Sequence, residues 1–203
     1  NDYLKRGYYP FGMETQTEIR LGQIIVQTLE TDITQYANLN VGTSRKLKRL
    51  LAIVSESVPF KPNFSKIAEM IGVSRNSLDD YFHFMELAGL IGQLRDDTHG
   101  IRSLGKIEKV YLNNTNIIYN LTGNKSNIGN IRETFFLNQM RVKNKVLSSK
   151  TSDFLIGDLT FEVGGKNKQQ KQIENDGKSF VVKDDIEFGY LNVIPLWAFG
   201  LNY

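Results

Sequence analysis

The chain has 203 residues, 40% of them hydrophobic, which suffices for one large or two small cores. Its 25 Lys and Arg against 22 Asp and Glu leave a net charge of +3, compatible with a nucleic-acid partner but far from a strongly basic footprint. With no cysteine, disulfides and thiolate metal sites are excluded, and two histidines, His83 and His99, are too few for a histidine-built zinc centre, so any metal must rest on carboxylates.

No apolar run is long enough to span a bilayer, and the opening NDYLKRGYYPFGMETQ lacks the apolar stretch of a signal peptide, so a cytoplasmic protein without a membrane partner is expected. The first residue is Asn, and the chain reads as part of a longer protein with a further region on its N-terminal side. Residues 14–37 place Ile24, Ile25, Thr28, Leu29 and Ile33 on one face of an amphipathic helix. ANLNVGT breaks it. Ser44 is then expected to cap the helix SRKLKRLLAIVSES, which turns Leu47, Leu50, Leu51 and Val54 inward and closes at Pro59 and Pro62.

From Phe64 a short helix, a glycine turn and a longer helix follow. Ala68 suits a close helix crossing, Gly72 the left-handed turn position and Ser74 the cap of the second helix, whose Leu78, Tyr81, Phe82 and Met85 fall at core spacing. This is the pattern of a helix-turn-helix. LIGQLRD, THGIRSLG and KIEKVYLNN then read as a wing hairpin, making residues 44–122 a winged-helix-like domain behind a helical segment at 1–43. On the exposed face of the second helix, Arg75, Asn76 and His83 suit phosphate or a base edge, joined by Arg102 and Lys106 from the wing. Asp79, Asp80 and Glu86 share that face and would oppose a duplex, so a nucleic-acid surface and a structural, inter-domain module are both open. Lys46, Lys48 and Arg49 read as a solvated helix face.

A composition break over residues 120–130 sets a third domain at 123–203. IGNIRETFFLNQMRVK is a helix with Glu133 near its start. NKVLSS, SDFLIG and LTFEVGG are three short strands, the last two joined by a tight turn at Gly157 and Asp158. NKQQKQIEND is expected as a short helix, KSFVVKD as a strand and GYLNVIPLWAFG as the closing apolar element. The fold class is thus α/β, a helical region followed by an α/β core with Asp153 and Glu162 on neighbouring strands.

Glu133 on a helix, Asp153 opening one strand, and Glu162 with Lys166 on the next resemble the PD-(D/E)xK restriction-endonuclease-like nuclease core. The whole chain, from YLKRGYYPFG through the helix-turn-helix and GKIEKVYLNNTNIIYNLTG to FEVGGKNKQQKQI, resembles the C-terminal half of a family of prokaryotic AAA-type ATPases, in which a P-loop domain precedes a winged helix and this nuclease-like fold. No G-x-x-x-x-G-K-[ST] occurs here, so ATP would be bound only by the missing N-terminal domain. The resemblance implies Mg2+ held by Asp153 and Glu162, with Lys166 acting on the attacking water and on charge at phosphorus. Glu133 would be a third catalytic carboxylate, or simply a first-turn acid favoured by the helix dipole. Gln169 and Gln170 would touch substrate phosphate, or form a polar helix surface.

In the nuclease pattern the lysine stands two residues after the glutamate. Here Val163, Gly164 and Gly165 intervene, and straight strand would carry Lys166 about 13 Å from Glu162. A bulge at the two glycines would swing Lys166 back, and a degenerate site in which Glu162 and Lys166 merely pair at a strand end is equally open. Two functions stay open: a DNA-processing, Mg2+-dependent nuclease module, and an inactive regulatory region that couples the ATPase domain of the same protein to another protein.

Overall fold

The computed structural model describes residues 2–56, 59–96, 106–123, 126–168 and 178–201. The chain forms two compact units, Asn1–Gln93 with Val110–Ser126, and Leu94–Lys109 with Asn127–Tyr203. Both helices and sheet are present, a mixed α/β architecture. Among the described residues no helix is long and apolar enough to cross a membrane.

In the first unit α1 (Asp2–Arg6) precedes α2 (Thr17–Gln27), which continues through a π-helical turn at Thr28–Asp32 into α3 (Ile33–Tyr36). Leu21, Ile25, Leu29 and Ile33, each four residues after the last, are buried. Four residues overshoot a 3.6-residue turn by about 40°, so this stripe would wind off the core in an unbroken α-helix, and the wider π turn removes part of that drift. The stripe therefore begins at Leu21, and Ile24, expected to point inward, is 39% exposed.

α4 (Val41–Glu56) starts ahead of Ser44, which is buried rather than capping. The side chain of Asn40 accepts the Thr43 N–H at 3.1 Å instead, while Leu47, Leu50, Leu51 and Val54 are buried as their spacing predicts. Asn63 caps α5 (Phe64–Ile71) by accepting the Lys66 N–H, and Gly72 ends it at φ +68°. Ser74 accepts the Ser77 N–H to open α6 (Arg75–Leu87), which buries Leu78, Tyr81, Phe82 and Met85. β1 (Ile91–Arg95) and β2 (Ile107–Leu112) form a two-stranded sheet, and Phe60 bridges Val110 of β2. The expected wing tip THGIRSLG lies outside the described residues. α7 (Thr115–Thr122), capped by Asn114, was not separated from the following loop by the sequence pattern.

The second unit packs α8 (Ile128–Met140) on a five-stranded sheet in the order β3 (Val146–Ser148), β4 (Phe154–Ile156), β5 (Leu159–Gly164), β6 (Ser179–Lys183), β7 (Val193–Pro195). The pairs β3/β4 and β4/β5 are antiparallel, β5/β6 and β6/β7 parallel. Gly157, at φ +62°, makes the tight turn between β4 and β5. The ring of Phe136 on α8 sits 5.1, 5.2 and 4.8 Å from those of Phe154, Phe161 and Phe199, an aromatic cluster that fixes the helix over the strands carrying the site. The expected helix in NKQQKQIEND falls almost wholly outside the described residues. Leu94–Lys109 groups with the second unit, which the chain enters again at Asn127.

Candidate active site

Asp153 lies one residue before β4, where its N–H donates to Phe161 O at 3.1 Å and its Oδ2 accepts the Val163 N–H at 2.9 Å. The antiparallel register ends at the pair Phe154 and Phe161, which Asp153 and Glu162 adjoin, and both acids act on the charge of Lys168. Glu133 joins them from α8 through a shared cation. The Lys109 Nζ, from β2, is 3.5 Å from Glu133 Oε2 and 3.5 Å from Asp153 Oδ1, and none of these three side chains is more than 18% exposed.

The lysine that reaches Glu162 is Lys168. Beyond β5 the chain turns, with the Lys168 N–H donating to Gly165 O at 2.9 Å, and the Lys168 Nζ comes 2.6 Å from Glu162 Oε1. A Cβ at Gly164 would lie 2.6–2.7 Å from Cβ, Cγ and Cδ of Lys168, so this side chain crosses the space that a residue at 164 would fill. Position 164 is two residues after Glu162, where the nuclease pattern carries its lysine. The ammonium thus arrives at that place from beyond the strand. Burial works against the charge of Lys168, but its hydrogen bond to Glu162 and the charges of Glu162, Asp153 and Glu133 outweigh this and hold its pKa above the ordinary lysine value.

Lys166, assigned this role by the sequence pattern, is exposed in the turn and makes no ion pair among the described residues. The expected bulge fails for the same reason. Neither Gly164 nor Gly165 has a positive φ, and the two glycines serve close approach instead. A Cβ at Gly165 would meet Arg132 Nη1 at 2.8 Å. Arg132 donates through Nε to Asp184 Oδ2 at 2.8 Å and through Nη2 to Asp185 Oδ2 at 3.3 Å, and the Asp184 N–H donates to Gly164 O at 2.9 Å. The turn that delivers Lys168 is held between Arg132 and Asp184.

Arg75, Asn76 and His83 belong to the first unit, exposed on α6 together with Asp79 and Asp80. Glu86 does not face outward as expected, since its Oε1 accepts the Gln93 N–H at 2.7 Å. The Arg75 guanidinium lies over the Phe64 ring at 6.0 Å, and Lys106 pairs with Glu108 at 3.0 Å. Lys46 donates to Gly72 O at 3.0 Å and Lys48 pairs with Glu30, both contacts lying at the exposed surface. Arg102 and Gln170, like Asp97, His99 and Gln169, lie outside the described residues.

The structure therefore gathers Glu133, Asp153 and Glu162 and adds two lysines that pattern reading did not assign. The paired glycines followed by a second lysine within one turn were a signal for Lys168; nothing local marked Lys109. Carboxylate oxygens without softer donors are the set that suits Mg2+ or Mn2+, so the residues fit such an ion by chemistry. Among the described residues, however, no three acidic or histidine side chains are disposed to hold a metal as they stand; the carboxylates face ammonium groups instead.

A family described as a domain of unknown function (DUF8612) matches residues 1–128, a stretch that ends before Glu133. No curated protein and no solved structure matches the chain.

Proposed function

We propose that the chain, which belongs to the family described as a domain of unknown function (DUF8612), is the C-terminal region of a cytoplasmic AAA-type ATPase whose second unit hydrolyses phosphodiester bonds in DNA. The observation that carries this reading is the Lys168 ammonium 2.6 Å from Glu162, brought across Gly164 to a place beside Asp153 and Glu133. A Mg2+ or Mn2+ ion held by Asp153 and Glu162 would supply Lewis-acid polarisation of a phosphoryl oxygen. Asp153 is oriented for this by the Val163 N–H on its Oδ2, which fixes the direction of Oδ1. Lys168, kept protonated by the surrounding acids, offers positive charge to phosphoryl oxygens and cannot serve as a base. Hydrolysis adds water to phosphorus and breaks the bond to the leaving sugar oxygen, which ends protonated.

In the first unit, α5, the Gly72 turn, α6 and the β1/β2 sheet support a winged-helix reading. Arg75 and Asn76 would contact phosphate there, making DNA the partner beside the ATPase domain of the same protein, through which alone ATP would be bound. A second reading has its own support. Lys168 neutralises Glu162, and Lys109 neutralises Glu133 and Asp153, as in a closed scaffold that serves regulation or protein binding.

The test is cleavage of single- and double-stranded DNA with Mg2+ or Mn2+. Asp153→Asn and Glu162→Gln are expected to abolish it, and Lys168→Met to slow it about 10²-fold or more, while Lys166→Ala leaves it within about twofold. Loss on Lys166→Ala with Lys168→Met unaffected would overturn the assignment. Inactivity of the native chain with both metals would favour the scaffold.

A further inference from the structure

We infer that Lys109 is a built-in cation that competes with the divalent ion for Asp153 and Glu133, so that metal enters the site only as this ammonium withdraws. The inference rests on the proposed reading of Asp153 as a metal ligand. Lys109 stands in β2, and its side chain is 16% exposed, so its long stem is held at some cost in rotamer freedom. Holding it there makes physical sense, because two carboxylates shielded from water repel each other strongly unless a positive charge lies between them. The Lys109 Nζ occupies that position, 3.5 Å from Glu133 Oε2 and 3.5 Å from Asp153 Oδ1.

Both distances exceed the range of about 2.7–3.2 Å for a strong N–H···O bond. The ammonium is therefore shared as a charge and not locked to either oxygen. A divalent ion seeking Asp153 Oδ1 at about 2.0–2.6 Å would enter the same space, and two cations cannot occupy it together. Lys168 bears on the other proposed ligand, Glu162, at 2.6 Å, and leaves Asp153 Oδ1 and Glu133 to Lys109. The consequence is a site whose resting form is filled by protein, with metal affinity set by how readily Lys109 gives way.

The experiment is titration of the full chain with Mn2+, followed by calorimetry or by the electron paramagnetic resonance of free Mn2+. Lys109→Gln is expected to tighten Mn2+ binding by at least about tenfold. Adding Glu133→Gln to that variant should remove the gain, and Lys143→Gln, at an exposed lysine, should leave affinity within about twofold. Equal Mn2+ affinity of the native chain and Lys109→Gln, or no binding to either, overturns the inference. Should Lys109→Gln fail to fold, Lys109→Arg provides the second test. Its planar fork grips two carboxylates more firmly, so weaker Mn2+ binding is expected and unchanged binding counts against the idea. DNA cleavage separates the two proposals. A gain in Mn2+ binding with no cleavage by any variant leaves the role of Lys109 standing and sinks the nuclease reading, whereas cleavage with unaltered Mn2+ affinity does the reverse.

Discussion

The bare α-carbon of Gly164 gives Lys168 its path to Glu162. Their ion pair is partly exposed, 37% for the lysine side chain and 23% for the glutamate, so it contributes less than about 1 kcal/mol to stability. Lys168→Met is accordingly expected to change the urea unfolding free energy by under about 1 kcal/mol while slowing the proposed cleavage about 10²-fold or more. Gly164→Ala is a different case, because the new methyl would overlap the Lys168 stem from its Cβ onward; a loss of about 1–3 kcal/mol is expected in the same measurement. If the ammonium's place matters and not its origin, Gly164→Lys combined with Lys168→Ala should restore cleavage. At this scale the strand positions were legible: Glu162 lies within β5 ahead of Gly164, and Asp153 one residue before β4. Lys168 was missed by two residues because strand spacing assumes that the strand goes on, and the chain turns at Gly165.

Helix ends show where local chemistry can be read and where it misleads. Ser74 caps α6 as its type and position indicate, but for α4 the cap is Asn40, whose Oδ1 accepts the Thr43 N–H and the Thr43 hydroxyl at 3.2 Å. Asn40→Ala is expected to cost about 1 kcal/mol in thermal or urea unfolding, a loss that a cap at Ser44 would not produce. The core of α6 was legible because one face of the helix is buried and the spacing is regular. α8 offers no such stripe. Ile131, Thr134, Phe135, Phe136, Leu137, Asn138 and Gln139 are all buried, so its apolar and polar residues carry little periodic signal. In α7 the adjacent Ile117 and Ile118 are buried within only eight residues, too short a run to establish a period.

At the scale of the molecule, the chain enters the second unit at Leu94, leaves it after Lys109 and returns at Asn127. Composition marked the last of these passages to within a few residues but could not reveal the first two, which fall inside β1 and at Lys109 of β2, where residue types do not change. A fragment of residues 123–203 lacks that excursion and with it Lys109, leaving Glu133 and Asp153 without their shared cation. It is expected to melt at a lower temperature and less cooperatively than residues 94–203; equal melting curves would count against the observed division. The strand order has a further result for behaviour at high concentration. The edge strands β3 and β7 are three residues each, and Pro195 removes one backbone donor from β7. Such short, interrupted edges give another chain little to pair with, so sheet-to-sheet self-association is disfavoured even though the interior strands β5 and β6 are rich in β-branched and aromatic residues.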